Sequence, residues 1–342
     1  MIQTIVIALV MFAVLVAVHE WGHFIAAKAV GIRVDEFSIG MGPKLLSVKK
    51  GETLYTLRAL PVGGFVAMEG EDEDQEGAAP SPTSFLGKKL WQRMLVVAAG
   101  VLMNFLLAFV LMAGLYFVSG MPSTVIQETE PGSPAAGLLF SGETILEING
   151  QEVDRWQDIS SAIASCQENE IQMKVLSPQG NEVRSVTVPV AQDETGKNMI
   201  GIYAKNQHHL GYSIAEGFKA TFVLCGVMIE AIQMLFTGQV GMEEVVGPVG
   251  VVSIVGDFAG MGLFYLVLLT AMISVNLAFV NILPLPALDG GKLLFMLLPV
   301  ITGRKIRPET EMKWTYGGFL LLIGLTVLIT IKDVNQFIFG LF

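Results

Sequence analysis

Long uncharged apolar stretches are the feature that most constrains this chain. They run from the N-terminus to His19, from Met94 to Val118, from Phe258 to Leu288 and from Trp314 to Ile331, and none contains a Lys or Arg. A helix needs about 20 predominantly apolar residues to cross a bilayer. Only 15% of the residues are charged, against about 25% in soluble domains. The sequence therefore predicts a polytopic α-helical membrane protein with four transmembrane helices.

The distribution of charge predicts the orientation of the spans and excludes one class of partner. Lys and Arg are concentrated in the loops that follow the first and third spans, and loops of this kind stay in the cytoplasm. We therefore expect a multi-pass protein of the inner (plasma) membrane, with the lipid bilayer as a partner. The net charge of -10 is spread along the chain, which excludes nucleic acid as a partner.

A fifth apolar stretch, Phe218 to Met242, is a weaker candidate for a span. Glu230 lies in its middle, and glycines interrupt its end. If this stretch crossed the membrane, the basic loop after the third span would lie outside, against the charge rule. We therefore predict that residues 207–257 form a membrane-associated amphipathic segment, either peripheral or re-entrant.

The sequence predicts three further segments. Residues 1–120 hold the first two transmembrane helices and a cytoplasmic β-loop, and residues 258–342 hold the last two helices. Residues 121–206 combine short strands with turns and predict an extracytoplasmic β-rich domain. In the cytoplasmic loop, residues 44–68 alternate apolar and polar side chains and predict a hairpin followed by a further strand. The acidic block at residues 69–76 predicts a solvated linker.

Chemistry is concentrated at the inner end of the first span, which reads His19-Glu20-Trp21-Gly22-His23. Two histidines four residues apart project from one face of a helix and can hold a single Zn²⁺. Glu20 lies beside them as a candidate catalytic base. Ionisable residues at the edge of the hydrocarbon are costly unless they are paired or bind a metal. This group is therefore a candidate functional site.

A catalytic zinc ion usually has three protein ligands, and the sequence offers few candidates for the third. His208 and His209 belong to the external segment, on the opposite side of the membrane. Asp289 follows the third span at the cytoplasmic end, which matches the depth of His19 and His23. The alternative interpretation of Asp289 is an Asp-Gly turn that only ends a helix.

Three separated features together resemble the site-2 protease family of intramembrane zinc metalloproteases, in its bacterial RseP/RasP form with a single PDZ domain. The first two are the HEWGH motif and the pattern N-x-x-P-x-P-x-x-D-G that starts at Asn281. The third is a segment similar to the core of a PDZ domain, which starts at Pro131 and reads PGSPAAGLLFSGETILEINGQEV. Glu143 stands where the PDZ pattern usually has Asp. A small β fold with ordinary turn glycines is the alternative for this segment.

The resemblance implies a function and a set of site residues. His19, His23 and Asp289 would be zinc ligands, and Glu20 would be the catalytic base. The substrates would be single-span membrane proteins, such as anti-sigma factors or remnant signal peptides, cut within or near their transmembrane segment during regulated intramembrane proteolysis. The resemblance also implies a membrane-associated β-element, which residues 44–68 fit, and a PDZ-like domain that contacts extracytoplasmic peptide or protein termini.

A substrate helix must be unwound locally, because the backbone groups of an intact helix are bonded to one another. Pro284 and Pro286 predict a break in the third span that lines a cavity, where both are candidates to bind the substrate. Asn281 is a candidate to hydrogen-bond either the substrate backbone or a freed carbonyl of its own helix. The strands of residues 44–68 are candidates to pair with an extended substrate at their edge. Asn104 in the second span is expected to bond between helices instead.

Two other function classes use similar residues. A metal transporter needs a chain of polar residues across the bilayer, whereas these spans have one polar cluster near the inner face. A non-catalytic scaffold with a PDZ domain has no need of Glu20 between two histidines. The sequence therefore favours the protease over both alternatives.

Overall fold

A computed structural model describes residues 2–71, 81–179, 182–193, 195–239, 241, 246–304 and 306–335. Two compact units are present, one formed by Met1–Met112 together with Gly217–Phe342 and the other by Ala113–Glu216. Most of the acidic block that was predicted to be a linker falls at residues 72–76 and lies outside the described residues.

Helices account for most of the chain outside the β-rich insert. In chain order they are α1 (Ile2–Ala29), α2 (Leu90–Ser119), α3 (Trp156–Ala164), α4 (Leu210–Thr237), α5 (Pro248–Met261), α6 (Leu263–Ile282), α7 (Asp289–Thr302) and α8 (Pro308–Asp333). Among the described residues, 5 helices are long and apolar enough to cross a membrane, namely α1, α2, α4, α6 and α8. The prediction of a polytopic α-helical membrane protein is confirmed.

The third predicted span differs from the structure at both ends. It was expected to run from Phe258 to Leu288, but Gly262, with φ of +115°, separates α5 from α6. Helix α6 then ends at Ile282, because the prolines that follow cannot continue it. The break that was predicted at the prolines is confirmed.

Four spans were predicted, but the structure has one further helix with the length and composition of a span. The additional helix covers Leu210–Leu235, within the segment 207–257 that was expected to be amphipathic and membrane-associated. Charge in the loops, not helix length, was the reason for excluding it as a span. That residues 207–257 do not cross the membrane stays a prediction.

Helix α1 lies at the centre of the first unit. Its residues Ala8, Met11 and Leu15 are buried against Val255 of α5 and Leu269 of α6. Nearer its C-terminus, α1 is buried in a second apolar cluster that includes residues of α2. Its C-terminal half, which carries the predicted metal ligands, is therefore held by packing on several neighbours.

The two long strands β1 (Val34–Lys50) and β2 (Thr53–Met68) follow α1 and form one small sheet. Residues 34–39 pair with 64–68 on one side and residues 36–39 pair with 54–57 on the other, while residues 44–50 close a hairpin against 53–58. The predicted hairpin and further strand are confirmed. The sequence did not predict that residues 34–39 would complete the sheet, which leaves residues 64–68 as one of its edges.

A network of hydrogen bonds and ion pairs around Glu36 links the strands of this sheet. The Glu36 carboxylate accepts hydrogen bonds from Arg58 Nη2 at 2.7 Å, Thr56 Oγ1 at 2.7 Å and Lys44 Nζ at 3.1 Å. Burial raises the pKa of Glu36, but these three hydrogen bonds outweigh burial and hold the pKa below its ordinary value. The network therefore stabilises the sheet most when Glu36 is ionised.

The second unit is the β-rich insert that was predicted at residues 121–206. It contains β3 (Met121–Thr129), β4 (Thr144–Ile148), β5 (Gln151–Glu152), β6 (Glu170–Leu176), β7 (Val183–Pro189), β8 (Ala191–Gln192), β9 (Asn198–Met199) and β10 (Ile202–Gln207). The main sheet has the order β10-β3-β4-β6-β7, and β5 pairs with β4. Along β6, exposed and buried residues alternate, as expected for a strand with one face on a core. Helix α3 covers that core through Ile159 and Ile163.

Glu143, the departure from the PDZ pattern, has a structural partner within the insert. Its carboxylate is buried and forms an ion pair with Arg184, with Nε and Nη2 each 2.9 Å from an oxygen. It also accepts the main-chain N–H of Phe140 at 2.9 Å. The same guanidinium donates to the carbonyl oxygen of Leu138 at 2.7 Å. Glu143 therefore ties the turn at residues 138–143 to Arg184 of β7.

Candidate metal centre

Three side chains from two distant parts of the chain converge inside the first unit. His19 and His23 are each 8% exposed, and their Nε2 atoms lie 3.2 Å apart. Asp289 Oδ2 lies 3.1 Å from His19 Nε2 and 3.4 Å from His23 Nε2. The structure therefore brings together the two histidines and the aspartate that the sequence singled out.

The donor set fits a metal ion. The three atoms lie within 4.8 Å of one another, and Asp289 Oδ2 is buried without a hydrogen-bond partner among the described residues. Two imidazole nitrogens and a carboxylate oxygen are a set that zinc accepts, and three protein ligands are usual at its catalytic sites. A buried carboxylate oxygen that lacks a hydrogen bond is costly, and a cation bound between Oδ2 and the two Nε2 atoms would remove that cost.

Helix α2 forms the wall behind the histidines. The His23 Nδ1 atom lies 2.8 Å from the main-chain carbonyl oxygen of Val96. Gly100, one turn further along α2, directly faces both rings: a Cβ atom there would lie 2.6 Å from His23 Cε1 and 2.8 Å from His19 Cε1. Only glycine therefore leaves room for the imidazoles at this position.

A short irregular segment between α6 and α7 positions Asp289. This residue begins α7 instead of ending α6, so the alternative of a helix-ending Asp-Gly turn is wrong. Within the segment, Ala287 has φ of +71°, a conformation that costs a non-glycine residue on the order of 1–3 kcal/mol and is found mainly at functional sites. The segment lies so close to α7 that Cβ atoms at Gly290 and Gly291 would overlap the main chain of Ile282 and Leu285.

A cavity of about 870 Å³ surrounds this centre. Its lining includes Glu20 and Asn281, both predicted site residues, together with Asn104 and Lys292. Asn281 Nδ2 lies 3.4 Å from His19 Nε2. A volume of this size is typical of ligand sites, which span about 300–1,000 Å³.

The edge of the small sheet forms one side of the same cavity. Residues 63–71 line it, and Gly64 approaches the catalytic candidate closely, since a Cβ there would lie 2.9 Å from Glu20 Cγ. In the sequence, Gly63 and Gly64 only belong to the stretch 44–68 that predicts strands. Their proximity to Glu20 could not be found without the fold.

The two predicted substrate-binding prolines lie elsewhere. Pro284 and Pro286 are in the break between α6 and α7, and neither is among the residues that line the cavity. Pro286 instead packs against Gly318 of α8, where a Cβ would lie 2.8 Å from the proline carbonyl oxygen. The position of the prolines favours a role in ending α6 over the direct contact with substrate that was predicted.

Residues 7–325 match Peptidase family M50. The chain belongs to this family. It is 30% identical to the regulator of sigma-W protease RasP of Bacillus subtilis, with 98% of this chain and 99% of that protein covered. A protein of Clostridium perfringens that carries the provisional name zinc metalloprotease is 38% identical, with 96% of this chain and 98% of that protein covered. The prediction of a zinc metalloprotease is confirmed.

A further similarity is confined to a quarter of the chain. The PDZ domain of an SdrC-like protein of Listeria innocua is 27% identical, covers 25% of this chain and 99% of its own length, and gives a TM-score of 0.23.

Proposed function

We propose that this M50 peptidase hydrolyses peptide bonds within or near the transmembrane segment of single-span membrane proteins, using His19, His23 and Asp289 as zinc ligands and Glu20 as the general base. The observation that carries the proposal is the convergence of the three ligand atoms, within 4.8 Å of one another, in a cavity that Glu20 also lines. A bound zinc ion would supply a Lewis acid that lowers the pKa of water to about 7 and polarises the scissile carbonyl.

Glu20 performs the proton transfers of this hydrolysis. Its carboxylate accepts a proton from water as the water oxygen adds to the carbonyl carbon of the substrate. It then gives that proton to the amide nitrogen as the C–N bond breaks, which releases an amine and a carboxylic acid and regenerates the carboxylate. General acid–base catalysis of this kind contributes about 10²–10⁴-fold to a rate.

The edge strand at residues 64–68 is the proposed binding site for the unwound substrate. One side of this strand pairs with residues 34–39, and the strand lines the cavity near Glu20. A helical substrate loses its main-chain hydrogen bonds when it unwinds. An extended peptide that adds to the edge of such a strand regains hydrogen bonds for its main chain. Asn281 lines the same cavity and supplies a side-chain amide that can bond the substrate backbone.

The proposal extends to the class of substrate and to the orientation of the protein in the membrane. RasP of Bacillus subtilis is named a regulator of sigma-W, which supports anti-sigma factors as one substrate class, with remnant signal peptides as another, in regulated intramembrane proteolysis. The loop charges support a metal centre near the cytoplasmic face of the plasma membrane and an extracytoplasmic insert at residues 121–206. In that arrangement the insert is available to bind peptide or protein termini. The proposal also keeps the other predicted segments: residues 1–120 and 258–342 with two transmembrane helices each, and residues 207–257 as a membrane-associated segment.

The test is cleavage of a tagged single-span reporter by the purified full-length protein, with zinc content measured on each variant. We expect Glu20→Gln to keep zinc and lose cleavage, and His23→Ala to lose both. Glu230→Gln is the matched control, because it makes the same change on an exposed face of α4 and should cleave normally. Cleavage by Glu20→Gln at the wild-type rate would remove Glu20 from the mechanism.

A further inference from the structure

The two histidines of the metal centre use their outer ring nitrogens differently. His23 Nδ1 lies 2.8 Å from the Val96 carbonyl oxygen. Because a carbonyl oxygen only accepts, Nδ1 donates its proton and the Nε2 lone pair stays free. His19 Nδ1 instead faces a side chain, with Asn104 Nδ2 at 3.4 Å. Metal-binding histidines almost always donate their second N–H to a partner, which fixes the tautomer and the ring orientation.

Asn104 carries an unsatisfied atom at this position. The residue lies on α2 with 0% exposure, and its Oδ1 has no hydrogen-bond partner among the described residues. Because the oxygen and nitrogen of a side-chain amide are nearly indistinguishable in shape, a half-turn of the amide sets Oδ1 opposite His19 Nδ1. In that orientation Oδ1 accepts the Nδ1–H, and Nε2 of His19 keeps its lone pair for a metal ion.

The main chain of Asn104 is bonded to a neighbouring helix, independently of its side-chain amide. Ser274 Oγ on α6 donates to the main-chain carbonyl oxygen of Asn104 at 2.8 Å, which ties α2 to α6 behind the centre. Val96, Gly100 and Asn104 are four residues apart and share one face of α2. One face of a single helix therefore supplies the space for both imidazoles and a partner for each outer nitrogen.

We propose that α2 sets the tautomer of both zinc-binding histidines, with the Asn104 amide as the positioning residue for His19 and the Val96 carbonyl as the partner of His23. This inference rests on the proposed function, because it concerns these histidines as zinc ligands. Asn104 acts only through His19. The bond between helices that the sequence indicated for Asn104 is therefore the contact from α2 to His19 on α1.

Zinc affinity of the full-length protein tests the role of Asn104. It is measured by competition with a chromogenic chelator, on Asn104→Leu and Asn104→Asp beside the wild type. Asn104→Leu removes the acceptor at similar volume, and we expect the Kd for zinc to rise about 10- to 100-fold. Asn104→Asp keeps an acceptor oxygen and should recover most of the affinity. Wild-type affinity in the leucine variant would overturn the proposal, as would an aspartate variant as weak as leucine.

Two further measurements separate positioning from packing. Ser274→Ala removes the hydrogen bond between α6 and α2 without touching His19, and its zinc Kd should equal that of the wild type. The absorption spectrum of bound Co²⁺ should change in Asn104→Leu and not in Ser274→Ala, because it reports ligand geometry. If Ser274→Ala weakens zinc binding as much as Asn104→Leu does, packing explains both and the proposal fails. A wild-type protein that binds no zinc would instead refute the proposed function itself.

Discussion

Replacing Gly100 by alanine should disable the metal centre although none of the proposed ligand residues is mutated. The added methyl carbon would lie 2.6 Å from His23 Cε1 and 2.8 Å from His19 Cε1. Carbon atoms in contact are ordinarily about 3.5–4.0 Å apart, so each imidazole must retreat by about 1 Å. Neither ring can do so freely, because both are buried and His23 is also bonded to the backbone of α2.

A displacement of about 1 Å at a catalytic centre costs about 100-fold in rate, which corresponds to about 2.7 kcal/mol. We therefore expect Gly100→Ala to cleave a single-span reporter about 100-fold more slowly and to bind zinc more weakly. The matched control is Gly114→Ala, on the same helix, where a Cβ atom meets nothing within 4 Å. The reasoning would be refuted by a Gly100→Ala protein with wild-type zinc affinity and wild-type cleavage.

Three smaller perturbations test other parts of the structure. Gly64→Ala should slow cleavage at unchanged zinc content, because its Cβ would lie 2.9 Å from Glu20 Cγ; lost zinc would contradict this. Arg184→Met should lower the free energy of unfolding by about 3 kcal/mol by leaving buried Glu143 unpaired, and pulse proteolysis that finds no change would refute the estimate. Glu36 has a lowered pKa in the folded protein, so its contribution is complete above its ordinary value of 4.5 and is lost as pH falls below that value. Protease protection of the small sheet should follow that loss in the wild type and become less dependent on pH in Glu36→Gln.

The convergence of the proposed ligand residues could be predicted because two of them form a short sequence motif. His19 and His23 are spaced by one helical turn, and a pair of histidines at the end of a span has few structural uses. Asp289 required one further step, the depth set by the loop charges. The conformation of the segment around Asp289 did not follow from the sequence. Gly290 and Gly291 are required there because main-chain atoms approach them closely, and this approach exists only in the folded chain.

The residues that support the ligands could not be predicted in this way. Helix α2 is apolar on all sides, so periodicity does not reveal that the face of Val96, Gly100 and Asn104 meets the histidines. The position of residues 64–68 at the edge of the sheet was not predicted for a related reason. Alternation indicated strands, but which of them becomes an edge depends on pairing with residues 34–39, outside the stretch that alternates.

The origin of the metal centre in two distant parts of the chain has a consequence for biosynthesis. The histidines leave the ribosome long before Asp289 does. Until α6 has entered the membrane beside α1, the growing polypeptide carries a base and two imidazoles but no third ligand. We therefore expect a product truncated before α7 to be inert although its HEWGH motif is intact, so that nascent spans sharing the insertion site escape cleavage.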